Sequence, residues 1–216
     1  MILSRGRKYL FVHIPKTGGT SLTEALEARA MSDDIIIADT LKGKARAKRQ
    51  SKLPAKGRLW KHSTIADLEG VVTQDELANL YIVTLVRNPW DRVRSYYAWL
   101  QDQSFDHSVV GLAKTLDFDA FVAHPSVMQS FRVNPYGSYV TDWTGRKWPT
   151  DYVRLEDLAQ ELTRFEAHLG FKLDVPHSNR SSKKRLINAQ ITLKSAINVG
   201  ISTSSDICEH LYKFKS

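Results

Sequence analysis

The sequence predicts an α/β fold with a central, mainly parallel sheet flanked by helices. Short apolar runs alternate with longer stretches of helical periodicity along the chain. The strongest run, "LYIVTLVR" (80–87), is β-branched and nearly continuous, as expected of a strand covered on both faces. Two of the runs break directly into helix starts. At 216 residues, 42% hydrophobic and 25% charged, the chain fits one soluble domain spanning 1–216.

Residues 8–14 read as a buried strand, and 20–31 as a helix with apolar positions at Leu22, Ala25, Leu26 and Ala30. "DIIIAD" (34–39) is a candidate second strand. From Lys42 to Lys61 there are nine Lys or Arg and no acid, which reads as a solvated basic loop, 42–61, and as an electropositive rim for an anionic ligand. After strand 80–87, "NPWDRVRSYYAWL" opens a helix: Asn88 suits the N-cap, Pro89 the first helical position, and Asp91 the positive helix end. Residues 116–124 read as a helix, 138–143 as a hairpin-like stretch, and 150–158 as a strand entering a helix that runs to about His168. There is no internal repeat and no linker.

The net charge of +8 favours anionic partners: nucleotides, acidic glycans, nucleic acid or a membrane surface. The apolar run at the start is too short to span a bilayer and lacks a signal peptide's core and cleavage site, so the reading is a cytoplasmic protein with no membrane span. A single cysteine, Cys208, excludes an internal disulfide and supplies no metal cluster.

The chemistry concentrates in "FVHIPKTGGTSL" (11–22), where a buried strand ends on a lysine and two glycines before a helix. Gly18 and Gly19 let backbone approach an anion, the amides through Thr20 and Ser21 point at it with the helix dipole, and Lys16 adds a full charge. The lysine precedes the glycines, so the ATP-binding order G-x-x-x-x-G-K-[ST] is not met. No strand ends in a Mg²⁺-binding aspartate, and protein cations take the neutralising role. Arg87 at the tip of the strongest strand, with Ser95 eight residues later, provides a second anion clamp. Two clamps suit a ligand phosphorylated at two separated places.

"HIPKTGGTSL" followed by "VRNPWDRVRSYY" resembles the sulfotransferases that use 3′-phosphoadenosine 5′-phosphosulfate (PAPS), and is most similar to the carbohydrate branch that includes heparan sulfate 2-O- and 6-O-sulfotransferases. "YVRLEDL" (152–158) and "VPHSNRSSKK" (175–184) resemble two further segments of that family. The resemblance implies a P-loop-like three-layer fold and transfer of a sulfuryl group from PAPS to a carbohydrate hydroxyl. It implies that Lys16, Thr17, Gly18, Gly19, Thr20 and Ser21 bind the 5′-phosphosulfate, that Arg87 and Ser95 bind the 3′-phosphate, and that Asn179 and Ser181 line the nucleotide. Glu156 would brace structure. The implied partner is a hydroxyl-bearing glycan, neutral or anionic, with neither nucleic acid nor metal required.

Sulfuryl transfer needs positioning, charge stabilisation and a base for the acceptor proton. Lys16 suits the charge on the departing phosphate. His62, in "LWKHSTIADL", is the chosen base: it follows the basic stretch, precedes a helix-like start, and resembles the base-bearing segment between the two phosphate motifs of the carbohydrate sulfotransferases. Asp67 and Glu69 are alternative bases, and His13, inside the first strand, reads as a core residue. After Leu186 the sequence departs from the family pattern, so 187–216 reads as an atypical, divergent or frame-altered tail. Two other classes stay open: a nucleotide kinase or NTPase with a degenerate loop, and a non-enzymatic binder of anions or nucleic acid.

Overall fold

A computed structural model describes residues 1–176, 191–210 and 212. In chain order the elements are β1 (Ile2–Ser4), β2 (Tyr9–Val12), α1 (Gly19–Ala28), β3 (Ile35–Ile36), α2 (Leu41–Gln50), α3 (Gln74–Ala78), β4 (Tyr81–Val86), α4 (Pro89–Leu100), α5 (Ser108–Thr115), α6 (Phe118–Ala123), α7 (Pro125–Val133), α8 (Tyr136–Tyr139), β5 (Asp151–Arg154), α9 (Leu158–Glu161), α10 (Thr163–Leu169), α11 (Leu193–Ser202) and α12 (Ser204–His210). They form two compact units, one of Met1–Val86 with the chain from Tyr136 to residue 176, the other of Arg87–Pro135 with the described residues after 190.

The first unit holds a mixed sheet in the order β3-β1-β2-β4-β5. β2, β4 and β5 run parallel, whereas β1 is antiparallel to both β2 and β3. The α/β class read from the sequence is what forms, with an antiparallel margin that the sequence reading did not include. β1 escaped notice because three residues show no alternation, and the turn to β2 is closed at Lys8, whose φ is 52°. In the parallel half, Val12 is level with Thr84 and Val86 with Arg154, so the chain leaves β2, β4 and β5 at one sheet edge. Buried Thr84 ties two of these strands through a 2.7 Å bond from its hydroxyl to the Val12 carbonyl. Tyr9, Phe11, Val83, Leu85 and Val153 on one face pack with Leu22 and Leu26 of α1 and with Phe165 and Leu169 of α10. Burial of each such side chain contributes about 1.5–3 kcal/mol.

The basic stretch is not a plain loop, because its first nine residues, 42–50, belong to α2. Thr40 caps the helix by accepting from the Gly43 amide at 3.3 Å. Arg46 and Arg49 donate to carbonyls of Met31, Ser32 and Asp34 in the turn after α1, at 2.7–2.8 Å. Ala, Lys, Arg and Gln are good helix formers, and binding two guanidinium groups to carbonyls offsets the self-repulsion that their density suggests. α1 is shorter than the 20–31 expected, since Asp34 accepts from the Met31 amide at 2.8 Å and turns the chain.

In the second unit α4 begins as read, with Asn88 accepting from the Trp90 amide and Pro89 in the first turn. Trp90, Val93, Tyr97 and Leu100 project at helical spacing into a core with Phe118, Phe121, Val127 and Phe131. The chain after 190, atypical by sequence, completes this core with Ala196 and Val199. Thr192 and Ser195 form a reciprocal capping box at the start of α11, and the Trp90 indole donates to the Ala196 carbonyl at 2.9 Å. Asp206 of α12 pairs with Arg92 of α4 at 3.6 Å, with side chains only 2% and 5% exposed.

Removing one partner of a buried pair leaves an uncompensated charge. Asp206→Ala is therefore expected to destabilise the protein by about 3–5 kcal/mol in urea unfolding, and Arg92→Met with Asp206→Leu to recover most of the loss. A double variant no more stable than Asp206→Ala contradicts this account of the tail.

Candidate active site

The turn after β2 is built by residues with special backbone requirements. Lys16 has φ 67°, in the left-handed region that costs a non-glycine residue about 1–2 kcal/mol, and Gly18 follows with φ 86°. Between them buried Thr17 donates its hydroxyl to the Ile14 carbonyl at 2.9 Å, so that hydroxyl braces the turn and is not turned to a ligand. A Cβ on Gly18 would meet Leu155, just after β5, at 2.7 Å, and one on Gly19 would lie 2.2 Å from the His13 ring. Both positions require glycine, because Leu155 and His13 already hold the space a Cβ would take. α1 starts on Gly18 without a side-chain cap and without an acidic residue in its first turn. Its positive end is thus arranged for an anion, with Lys16 part-exposed before it and Thr20 exposed in its first turn.

His62 lies against this turn. Its Nδ1 is 2.8 Å from the carbonyl oxygen of His13, and the two imidazoles meet edge to face at 4.6 Å between centroids. A carbonyl only accepts, so Nδ1 carries the proton and Nε2 keeps its lone pair. Burial drives His62 down from 6.5 to about 4, against the upward pull of the His13 bond. Burial likewise holds His13 well below the ordinary histidine range. His62 is therefore a neutral base at physiological pH with one nitrogen available to take a proton.

The segment carrying His62 is held from below. The buried Ser63 hydroxyl bonds the Trp60 amide and the carbonyls of Arg58 and Trp60 at 2.8–3.0 Å. Ile65 and Ala66 donate backbone bonds to Tyr139 and Thr141. The alternative bases are engaged elsewhere: Asp67 accepts from the Thr64 amide and hydroxyl at 2.7 and 3.0 Å, and Glu69 pairs with Lys56 at 2.6 Å. Lys61 binds Asp39 at 2.6 Å, a bond that holds the Asp39 carboxyl below its usual range. Trp60 is 44% exposed, with its ring 5.0 Å from that of His62 and the Arg58 guanidinium over its indole.

Of the other residues singled out by sequence, Arg87 immediately follows β4 and is part-exposed, while Ser95 is buried on the face of α4 that also carries Arg92. Both belong to the second unit. Glu156 is exposed in the turn after β5. Asn179 and Ser181 lie outside the described residues. Among the described residues no group of three or more His, Cys, Asp or Glu is placed to hold a metal, and no helix is long and apolar enough to cross a membrane. Sequence reasoning missed the part of His13. Its carbonyl meets His62 across 49 positions, and no local pattern signals such a contact.

No protein-family model and no curated protein matches the chain. Among solved structures it is similar to mouse sulfotransferase SULT7A1 complexed with PAP, at a TM-score of 0.40 and 15% identity over 93% of this chain. The chain spans 66% of the length of that one. The chemistry of the site is read from its own side chains.

The depressed His62 pKa fixes a direction: the ring is neutral above about pH 4 and becomes protonated only below it. Nitrogen-detected NMR is expected to show the Nδ1–H tautomer unchanged from pH 8 to pH 5. Titration near 6.5, or an Nε2–H tautomer, contradicts the geometry.

Proposed function

We propose that the chain is a sulfotransferase that moves a sulfuryl group from PAPS to a carbohydrate hydroxyl. The observation that carries this reading is the junction of anion grip and base at one residue. The chain leaving β2 at His13 enters the glycine turn, and the same residue's carbonyl sets the tautomer of His62. The uncapped, acid-free start of α1 directly after the glycine turn suits a phosphosulfate group.

PAPS supplies the sulfuryl group and a phosphate leaving group. His62 Nε2 takes the acceptor's hydroxyl proton as the new O–S bond forms. The bond from sulfur to the bridging oxygen breaks, and its electron pair remains on the 5′-phosphate of adenosine 3′,5′-bisphosphate. Lys16 and the first-turn amides of α1 stabilise the charge that develops there. Arg87 and Ser95 are assigned to the 3′-phosphate, and Asn179 and Ser181 to the nucleotide, on their sequence motifs. The acceptor is assigned as a hydroxyl-bearing glycan. Neither a nucleic acid nor a metal is given a part.

Calorimetry with adenosine 3′,5′-bisphosphate, 5′-AMP and ATP tests this reading. The bisphosphate is expected to bind without Mg²⁺ and well above the other two. Arg87→Ala should weaken it by about 10–100-fold, the loss of one charge-assisted contact. His62→Ala should preserve that affinity and lower transfer by about 10²–10⁴-fold. Mg²⁺-dependent binding of ATP in preference to the bisphosphate would return the site to the kinase class, and full transfer by His62→Ala would remove His62 as base.

A further inference from the structure

We propose that the outward face of α2 is a membrane-docking surface, one that seats the protein on a bilayer containing anionic phospholipid. Such docking needs no part of the transferase chemistry described above.

α2 is anchored along one side only. Gly43 and Gln50 are buried, and the Gln50 side-chain carbonyl accepts from the Ile36 amide at the edge of the sheet. Lys42, Arg46 and Arg49 reach the carbonyls of Glu27, Met31, Ser32 and Asp34. At about 3.6 residues per turn, Leu41, Lys44, Ala45 and Lys48 then share the opposite side, in the i, i+3, i+4, i+7 spacing of one helical face. All four are exposed, Leu41 by 90%. Just past the helix the Lys52 amide donates to the Arg49 carbonyl at 3.3 Å, so the turn continues and exposed Lys52 extends the same face.

Two features of this face are unfavourable in water. Lys44 and Lys48 stand one turn or about 6 Å apart and repel each other, with Lys52 adding like charge at the end. Among the described residues none of the three makes a hydrogen bond or ion pair. No acid occurs in the sequence between Asp39 and Asp67. Leu41 leaves nearly all of its surface in water and forgoes most of the burial that a leucine ordinarily gains. A single partner answers both. An anionic bilayer gives the lysines a sheet of negative charge, and gives Leu41 the acyl boundary just beneath it. Lysine stems are long enough to keep their ammonium groups at headgroup level while Leu41 enters. Nucleic acid or another soluble polyanion would meet the lysines but offers Leu41 nothing. α2 also lacks an aromatic ring on which a base could stack.

The full chain is sedimented with large vesicles of phosphatidylcholine alone, and of phosphatidylcholine with about 30% phosphatidylserine, in about 0.15 M salt. Binding is expected to the anionic vesicles alone, and to weaken as salt rises. Each lysine near a charged surface is worth about fivefold, so Lys44→Gln, Lys48→Gln and Lys52→Gln together should lower vesicle affinity about 100-fold. Leu41→Ser should lower it about tenfold while leaving any affinity for oligothymidylate as it was. All four side chains are exposed, and matching urea midpoints separate lost docking from lost folding. Equal sedimentation with neutral vesicles, no sedimentation with either, or an unaltered affinity in the triple variant overturns the proposal. An unaltered vesicle affinity in Leu41→Ser overturns it as well, and makes the face a general binder of soluble polyanions.

Discussion

The site depends on one hydrogen bond, from His62 Nδ1 to the carbonyl of His13. Such a bond contributes only about 1 kcal/mol net to folding, but here it selects one of two tautomers and aims the remaining lone pair. Its donor and acceptor belong to segments that must each be fixed independently. The acceptor is fixed by the sheet, since His13 directly follows β2 and its ring fills the space over Gly19. The donor is fixed by Ser63, by the Asp67 cap, and by backbone bonds to residues 139 and 141. Those residues are anchored in turn by buried Asp142. Burial opposes its ionisation, but bonds from Thr144, Gln74 and Trp148 outweigh that and hold its carboxyl below the usual range. A polar hub well away in sequence from His62 thus helps decide where that ring stands.

What the sequence disclosed follows the range of the forces involved. The β4–α4 junction was legible because strand propensity, the Asn88 cap and Pro89 act within a few residues. The glycine turn was legible for the same reason, and His62 was found beside it. The reason for each glycine was not legible, since Leu155 and His13 come from elsewhere in the fold. α2 was hidden by its charge, because the carbonyls that receive Arg46 and Arg49 lie beyond any local window. Thr40, a sound N-cap four positions before Lys44, was the signal that could have revealed it. Thr17 matched the motif, yet its hydroxyl serves the turn.

The tail is a separate case. Its composition departs from the pattern that the earlier motifs set up, but the physics of a folded segment is present: a capping box, apolar residues at helical spacing, and an acid opposite a buried arginine. Departure from a family pattern and failure to fold are different properties. Asp206, paired with buried Arg92, and the apolar residues of α11 close the core of the helical unit.

That closure bears on the order of assembly. Trp90 waits for the Ala196 carbonyl, 106 residues further along the chain. During synthesis Phe118, Phe121, Val127 and Phe131 reach α4 soon after it is made, but the part of its apolar side that takes Ala196 and Val199 stays uncovered until the chain beyond residue 199 has emerged. Contacts of such long sequence separation are slow to form, and exposed apolar helices are prone to aggregate meanwhile. The helical unit is accordingly the part of the molecule that a chaperone would need to shield on the ribosome, while the first strands of the sheet already have their partners.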